Sequence, residues 1–145
     1  MRWARRMLAE WRAHARAKQR APGLMMHEMH TFQRDFAMAH ADLEAADAYM
    51  KRAYAALYDA AESGAVTPEL QLEAKLSASH AYAAAMRIAN TANAAAATTG
   101  LRNGTMLQRF FRDIVAGNAH VLTGEMSWIE AGRVLGGVDG ASLYF

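Results

Sequence analysis

The sequence has no cysteine and only two prolines among its 145 residues. Without thiols there is no disulfide framework, no thiolate metal site and no cysteine nucleophile. No apolar run reaches the roughly 18 residues needed to span a bilayer. The N-terminus lacks a secretory apolar segment, so the default address is the cytoplasm. Strand formers are sparse, whereas alanine, the best helix former, supplies 34 positions. Mostly-β, collagen-like and disordered chains are disfavoured by that mixture. What is left is one helical domain, residues 1–145, large enough for a single core.

The formal charge of +2 hides an asymmetry. Arg2, Arg5, Arg6, Arg12, Arg16, Lys18 and Arg20 face a single acid, Glu10, within residues 1–20. A basic, acid-poor opening fits an organellar leader or a nucleic-acid arm. Yet Trp3, Met7, Leu8 and Trp11 recur at helical spacing, which favours an amphipathic first helix with a solvated basic face. Neither nucleic acid nor membrane is the expected partner.

Pro22-Gly23 breaks that helix, and residues 21–30 read as an irregular link. Thr31 is a good N-cap for residues 32–62. There Phe32, Phe36, Ala39, Leu43, Ala46, Met50, Ala53, Leu57 and Ala60 alternate in steps of four and three, an a/d seam sustained for four heptads. Asp35, Asp42, Glu44, Asp47, Lys51 and Asp59 lie off it. Ser63-Gly64 ends the run. Thr67-Pro68-Glu69 then supplies a cap, a proline for the first helical position and a first-turn acid. Residues 68–97 form the second long helix, pairing with the first as an antiparallel hairpin. Its alanine seam (Ala81, Ala85, Ala89, Ala92, Ala96) implies close helix approach. A loop at 98–104 leads to a final helix over 105–135, interrupted or bent at Thr123-Gly124 so that a last helical piece covers residues 125–135, and stopped by Gly136-Gly137. The fold class is all-α, an up-down four-helix bundle with two long central helices.

Common catalytic and cofactor signatures are missing: no GxGxxG, P-loop, GxSxG or HExxH. His27-Glu28-Met29-His30 has the wrong spacing for zinc, and no metal is expected. His80 reads as an interior or interface residue. The last helix is different. Its apolar stripe, Met106 and Phe110, runs at steps of three and four into Asp113, Gly117 and His120. A glycine inside a helix costs about 1 kcal/mol relative to alanine, so a compensating reason is required. Either a neighbour crosses tightly at Gly117 or something flat and non-protein lies there. A histidine beside such a gap can move a proton near neutral pH.

Leu107-Gln108-Arg109-Phe110-Phe111-Arg112-Asp113, then His120, then Ala131-Gly132-Arg133-Val134-Leu135-Gly136, resemble the C-terminal helical domain of the acyl-CoA dehydrogenase superfamily. The hairpin of residues 32–97 matches in length and alanine/leucine character. The resemblance is closest to the two-component flavin-dependent monooxygenases, which hydroxylate organic substrates with reduced flavin and oxygen. It implies that His120 is catalytic, beside the reactive edge of the flavin. Val121 falls where many acyl-CoA dehydrogenases carry the glutamate base, which disfavours the usual dehydrogenation. Thr98 and Thr99 match a small polar pair that contacts flavin at a subunit boundary, and Arg102 follows in the same cofactor-binding segment. Ala97 stands where relatives usually have glycine, and Arg102-Asn103 also differ from the usual residues. Arg112, Asp113 and Gly117 take structural and subunit-contact roles. The implied cofactor is FAD or FMN, reduced by a partner reductase. The implied assembly is a homo-oligomer, tetramer or dimer. Relatives place an N-terminal helical domain and a β-domain before this bundle, so the chain is expected to be one piece of a larger enzyme, half of a split one, or a bundle living without catalysis.

Overall fold

The computed structural model describes residues 1–102, 104–118 and 124–141. Helices α1 (Arg2–Ala17), α2 (His30–Glu62), α3 (Pro68–Ala96), the single turn α4 (Thr98–Leu101), α5 (Met106–Asn118) and α6 (Glu125–Leu135) make the chain all-α. The exception is a small antiparallel hairpin, β1 (Gln19–Ala21) with β2 (Leu24–Met25), followed by a 3-10 turn at Met26–Glu28. No described helix is long and apolar enough to cross a membrane.

The heptad seam of α2 reads out as expected, each of its positions being buried or half-buried. Thr67 caps α3 as the sequence indicates, its side chain accepting the Leu70 N–H at 3.4 Å with Pro68 in the first turn. Of the two long helices, α3 is the central one, packed against α1, α2, α5 and α6. Alanine makes this placement workable. Ala81, Ala85, Ala89, Ala92 and Ala96 are all buried, and a small side chain lets several helices approach one axis together.

Three boundaries move. Residues 21–30 are not an irregular link, because backbone pairing of Gln19 with Met25 around Pro22-Gly23 turns the chain, with Gly23 in the left-handed region at φ 74°. Helix α2 starts two residues early, at His30, with Met29 as N-cap, so Thr31 falls inside the first turn and caps nothing. Residues 98–101 form a helical turn in place of a loop. The last helical piece, α6, has the expected bounds of residues 125–135 and is an element separate from α5, while the interruption or bend expected at Thr123-Gly124 falls partly outside the described residues.

Helix α1 docks through Ala4, Met7, Leu8, Trp11 and Ala15. Trp11 is fully buried, with its ring centroid 5.3 Å from Phe32 and 5.4 Å from Phe36. Such an aromatic cluster contributes about 1 kcal/mol per pair beyond simple burial. Trp3 departs from the expected stripe: it is half exposed and tilts against Phe110 at 5.8 Å. The basic face is not wholly solvated either. Arg5 bridges to Glu44 and Asp47 on α2, and Arg20 donates to the Ala95 carbonyl at 2.6 Å, near the C-terminus of α3. A cation there complements the helix dipole.

Candidate functional site

The inward face of α5 is Leu107, Phe110 and Ile114, all buried. Phe110 belongs to the stripe read from the sequence, but on either side of it the buried face turns by one residue: Met106 is 38% exposed and Asp113 exposed. The apolar residues next to those positions pack better against α1 and α3. Asp113 and Gly117 consequently sit along the edge of the buried face, and that edge borders a groove. The groove holds about 370 Å³ and runs between the start of α1, the middle of α2, α3 and α5. Trp3, Tyr54 and Tyr82 form its walls, and Ala4, Ala78, Ala81 and Ala85 are among the small residues beneath.

Gly117 meets a definite neighbour. A Cβ placed on it would lie 3.0 Å from Cε1 of Tyr82. Of the two explanations for this glycine, a close neighbour is therefore present, and it is an aromatic side chain instead of a crossing backbone. Its ring also forms one wall of the groove, so the glycine shapes the cavity by admitting Tyr82. His120 and Val121 lie outside the described residues.

The segment expected to contact flavin is firmly tied down. Thr105 Oγ1 donates to the carbonyls of Thr99 and Arg102 and accepts the Gln108 N–H, joining α4 to the first turn of α5. Thr98 and Arg102 are exposed and Thr99 half-buried. Ala97 adopts φ 51° and ψ −129°, a conformation that glycine takes without strain and alanine does not. The glycine that the resemblance leads one to expect here would take this conformation freely. Gly100 is needed for another reason: a Cβ there would come within 2.9 Å of the Asn93 carbonyl oxygen on α3.

Arg112 and Asp113 are both exposed, and neither makes an ion pair within the described residues. His80 is half-buried, its ring 6.1 Å from that of Tyr49. His27 and His30 do not build a metal centre: Glu28 between them accepts the Met25 N–H at 2.7 Å, and the described residues hold no group of three metal-ligating side chains. A second groove, about 400 Å³ between α1 and α2, is lined by Arg5, Arg12 and His40 with Leu8, Phe36 and Leu43. It lies away from α5.

The sequence reading missed the groove walls. Trp3 was assigned to the core, and Tyr54 and Tyr82 were not singled out. A usable signal existed: both tyrosines stand one position after a seam alanine, Ala53 and Ala81, hence at the margin of a buried stripe.

In kind, two separate parts of the domain suit a flavin: Thr98 and Arg102 offer exposed donors for a cofactor's polar and phosphate groups, and the groove beside Gly117 is walled by aromatic rings that suit a planar guest. The structure does not bring the two together, since Thr98, Thr99 and Arg102 are not among the residues that line the groove. No curated protein matches the chain, and no solved structure does. Residues 3–125, most of the sequence, match the family model described as acyl-CoA dehydrogenase, C-terminal domain. That domain is all-helical in a family of flavin-using oxidoreductases, in agreement with the bundle seen here. The chain belongs to the acyl-CoA dehydrogenase family, as its C-terminal helical domain.

Proposed function

We propose that this domain serves a flavin-dependent monooxygenase of acyl-CoA-dehydrogenase type, forming one wall of the flavin pocket and the contacts of a homo-oligomer, tetramer or dimer. The observation that carries the reading is the aromatic-walled groove at Gly117, three positions before His120. FAD or FMN, reduced by a partner reductase, supplies the electrons for oxygen chemistry when bound. Thr98, Thr99 and Arg102 are the residues to hold it, and Arg112, Asp113 and Gly117 support α5 and the subunit contact. His120, three positions on from Gly117 in sequence, is of a side-chain type that can hold or deliver a proton near neutral pH. Val121 has no atom that can accept one, which favours hydroxylation over removal of a substrate α-proton.

Water must be kept from such chemistry. A groove open along one side calls for further protein to cover it, and the N-terminal helical and β-domains of the family are the expected cover. The test is a titration of FAD and FMN into this chain co-expressed with those two domains from a monooxygenase relative. Saturable quenching of flavin fluorescence, weakened about tenfold by Arg102→Ala, supports the reading, as does loss of product hydroxylation in His120→Ala with flavin affinity kept. No flavin binding with both domains present overturns it.

A second reading, a helical assembly module that keeps the fold without flavin, is favoured by one feature. Met126, Trp128, Ile129 and Leu135 on α6 are 55%, 40%, 45% and 65% exposed, an apolar surface of the kind that interfaces cover. Stable oligomers by light scattering, with flavin absent from every preparation, would select it.

A further inference from the structure

The groove has a chemical preference that does not depend on flavin. Three aromatic side chains from three different helices line it, and each keeps a large part of its surface open: Trp3 50%, Tyr54 48% and Tyr82 39%. Large aromatic rings left this exposed around a floor of alanines are an unsatisfied apolar surface, and they also present π-systems to whatever enters. Among the described residues, Asp113 supplies the only charged side chain in the lining. Its carboxylate is exposed and takes part in no hydrogen bond or ion pair among the described residues. Arg6, a cation of the adjoining helix, lies instead over the Phe110 ring at 5.6 Å.

These features select a charge type. An anion entering the groove meets the Asp113 carboxylate, which pairs with no described side chain. A neutral apolar guest gains from the rings and gains nothing from Asp113. An organic cation gains from both, because aromatic faces attract cations, indole most strongly. The volume suits a small head group, near the lower end for ligand pockets.

We infer that the groove between Trp3, Tyr54, Tyr82 and Asp113 is a binding site for a small organic cation of the quaternary or tertiary ammonium type. The inference uses neither His120 nor a cofactor. Where the flavin reading also holds, the cation is the substrate end of the same groove.

The experiment needs only the chain itself and two probes of nearly equal shape, choline and its uncharged analogue 3,3-dimethylbutan-1-ol. Each is titrated at constant ionic strength while the Trp3 indole N–H resonance is followed by NMR. Saturable shifts with choline, at least fivefold weaker binding of the alcohol, and at least fivefold weaker choline binding in Asp113→Asn are the expected results. Asp113 is exposed, so that variant keeps the fold. Trp3→Leu, read by intrinsic tyrosine fluorescence, should lower choline affinity as well. Equal binding of the two probes, indifferent to Asp113→Asn, would reduce the groove to a plain apolar cleft and overturn the inference. So would the absence of a saturable shift at tens of millimolar choline. Flavin is absent throughout, so failure here leaves the flavin titration unaffected, and the reverse also holds.

Discussion

The ring edge of Tyr82 stands 3.0 Å from the point where a side chain at Gly117 would begin. Two helices share this contact: α5 supplies the glycine and α3 the ring that occupies the space it leaves. The pair fixes one wall of the groove.

A mutant cycle tests that coupling. Gly→Ala within a helix ordinarily gains up to about 1 kcal/mol. In the native background the added methyl presses on Tyr82, so Gly117→Ala should gain less than that or lose stability. In a Tyr82→Ala background the same change should recover the full gain. Urea unfolding of the four proteins measures the difference, and a Gly117→Ala effect identical in both backgrounds would remove the steric argument.

Two acid-sensitive groups should act in separate pH windows. Burial, with Lys18 and Arg20 nearby, holds the His14 imidazole below its ordinary value of 6.5. The unfolded chain then binds that proton more readily than the folded one, so stability falls as pH drops below about 6.5. Asp47 is held below its ordinary 3.8 by Lys51 foremost and then by Arg5. Its contribution is present above that value and is lost as pH falls through the lower folded one. Denaturation midpoints between pH 7 and 2 should show His14→Gln flattening the upper part of the profile and Asp47→Asn the lower. Profiles parallel to the native one would contradict these assignments.

The ion pair of Lys75 with Glu130 joins α3 to α6 with both side chains largely buried. Removing one partner leaves a charge with poor hydration, at a cost of about 3 kcal/mol. Lys75→Met alone should therefore loosen α6, visible as faster amide exchange over residues 125–135. Lys75→Met with Glu130→Leu should recover most of the loss. A single variant as stable as the native chain would show that the pair is solvated in solution.

How much of this was legible beforehand depends on the type of signal. The α2 seam could be read because its period is local and repeats many times, and Thr67-Pro68 because capping depends on neighbours in sequence. The hairpin at residues 19–25 was not legible: its strands are only three and two residues long, too short for a pattern. On α5 the apolar positions allow two neighbouring stripes, and packing against α1 and α3 selected Leu107, Phe110 and Ile114 over the one containing Asp113.

The sequence by itself determined a helical domain with alanine-lined contacts, and it carried the motif pattern that the family match later met. Those properties rest on periodicity, capping and composition, which need no knowledge of neighbours. Tertiary structure alone decided that Trp3, Tyr54 and Tyr82 meet around Asp113, since they come from α1, α2, α3 and α5 and their convergence is set by how the helices cross. It also decided that Asp47, formally a surface acid of the heptad pattern, is buried between Arg5 and Lys51. A charge off the seam is solvated only if no third helix covers it, and here α1 does.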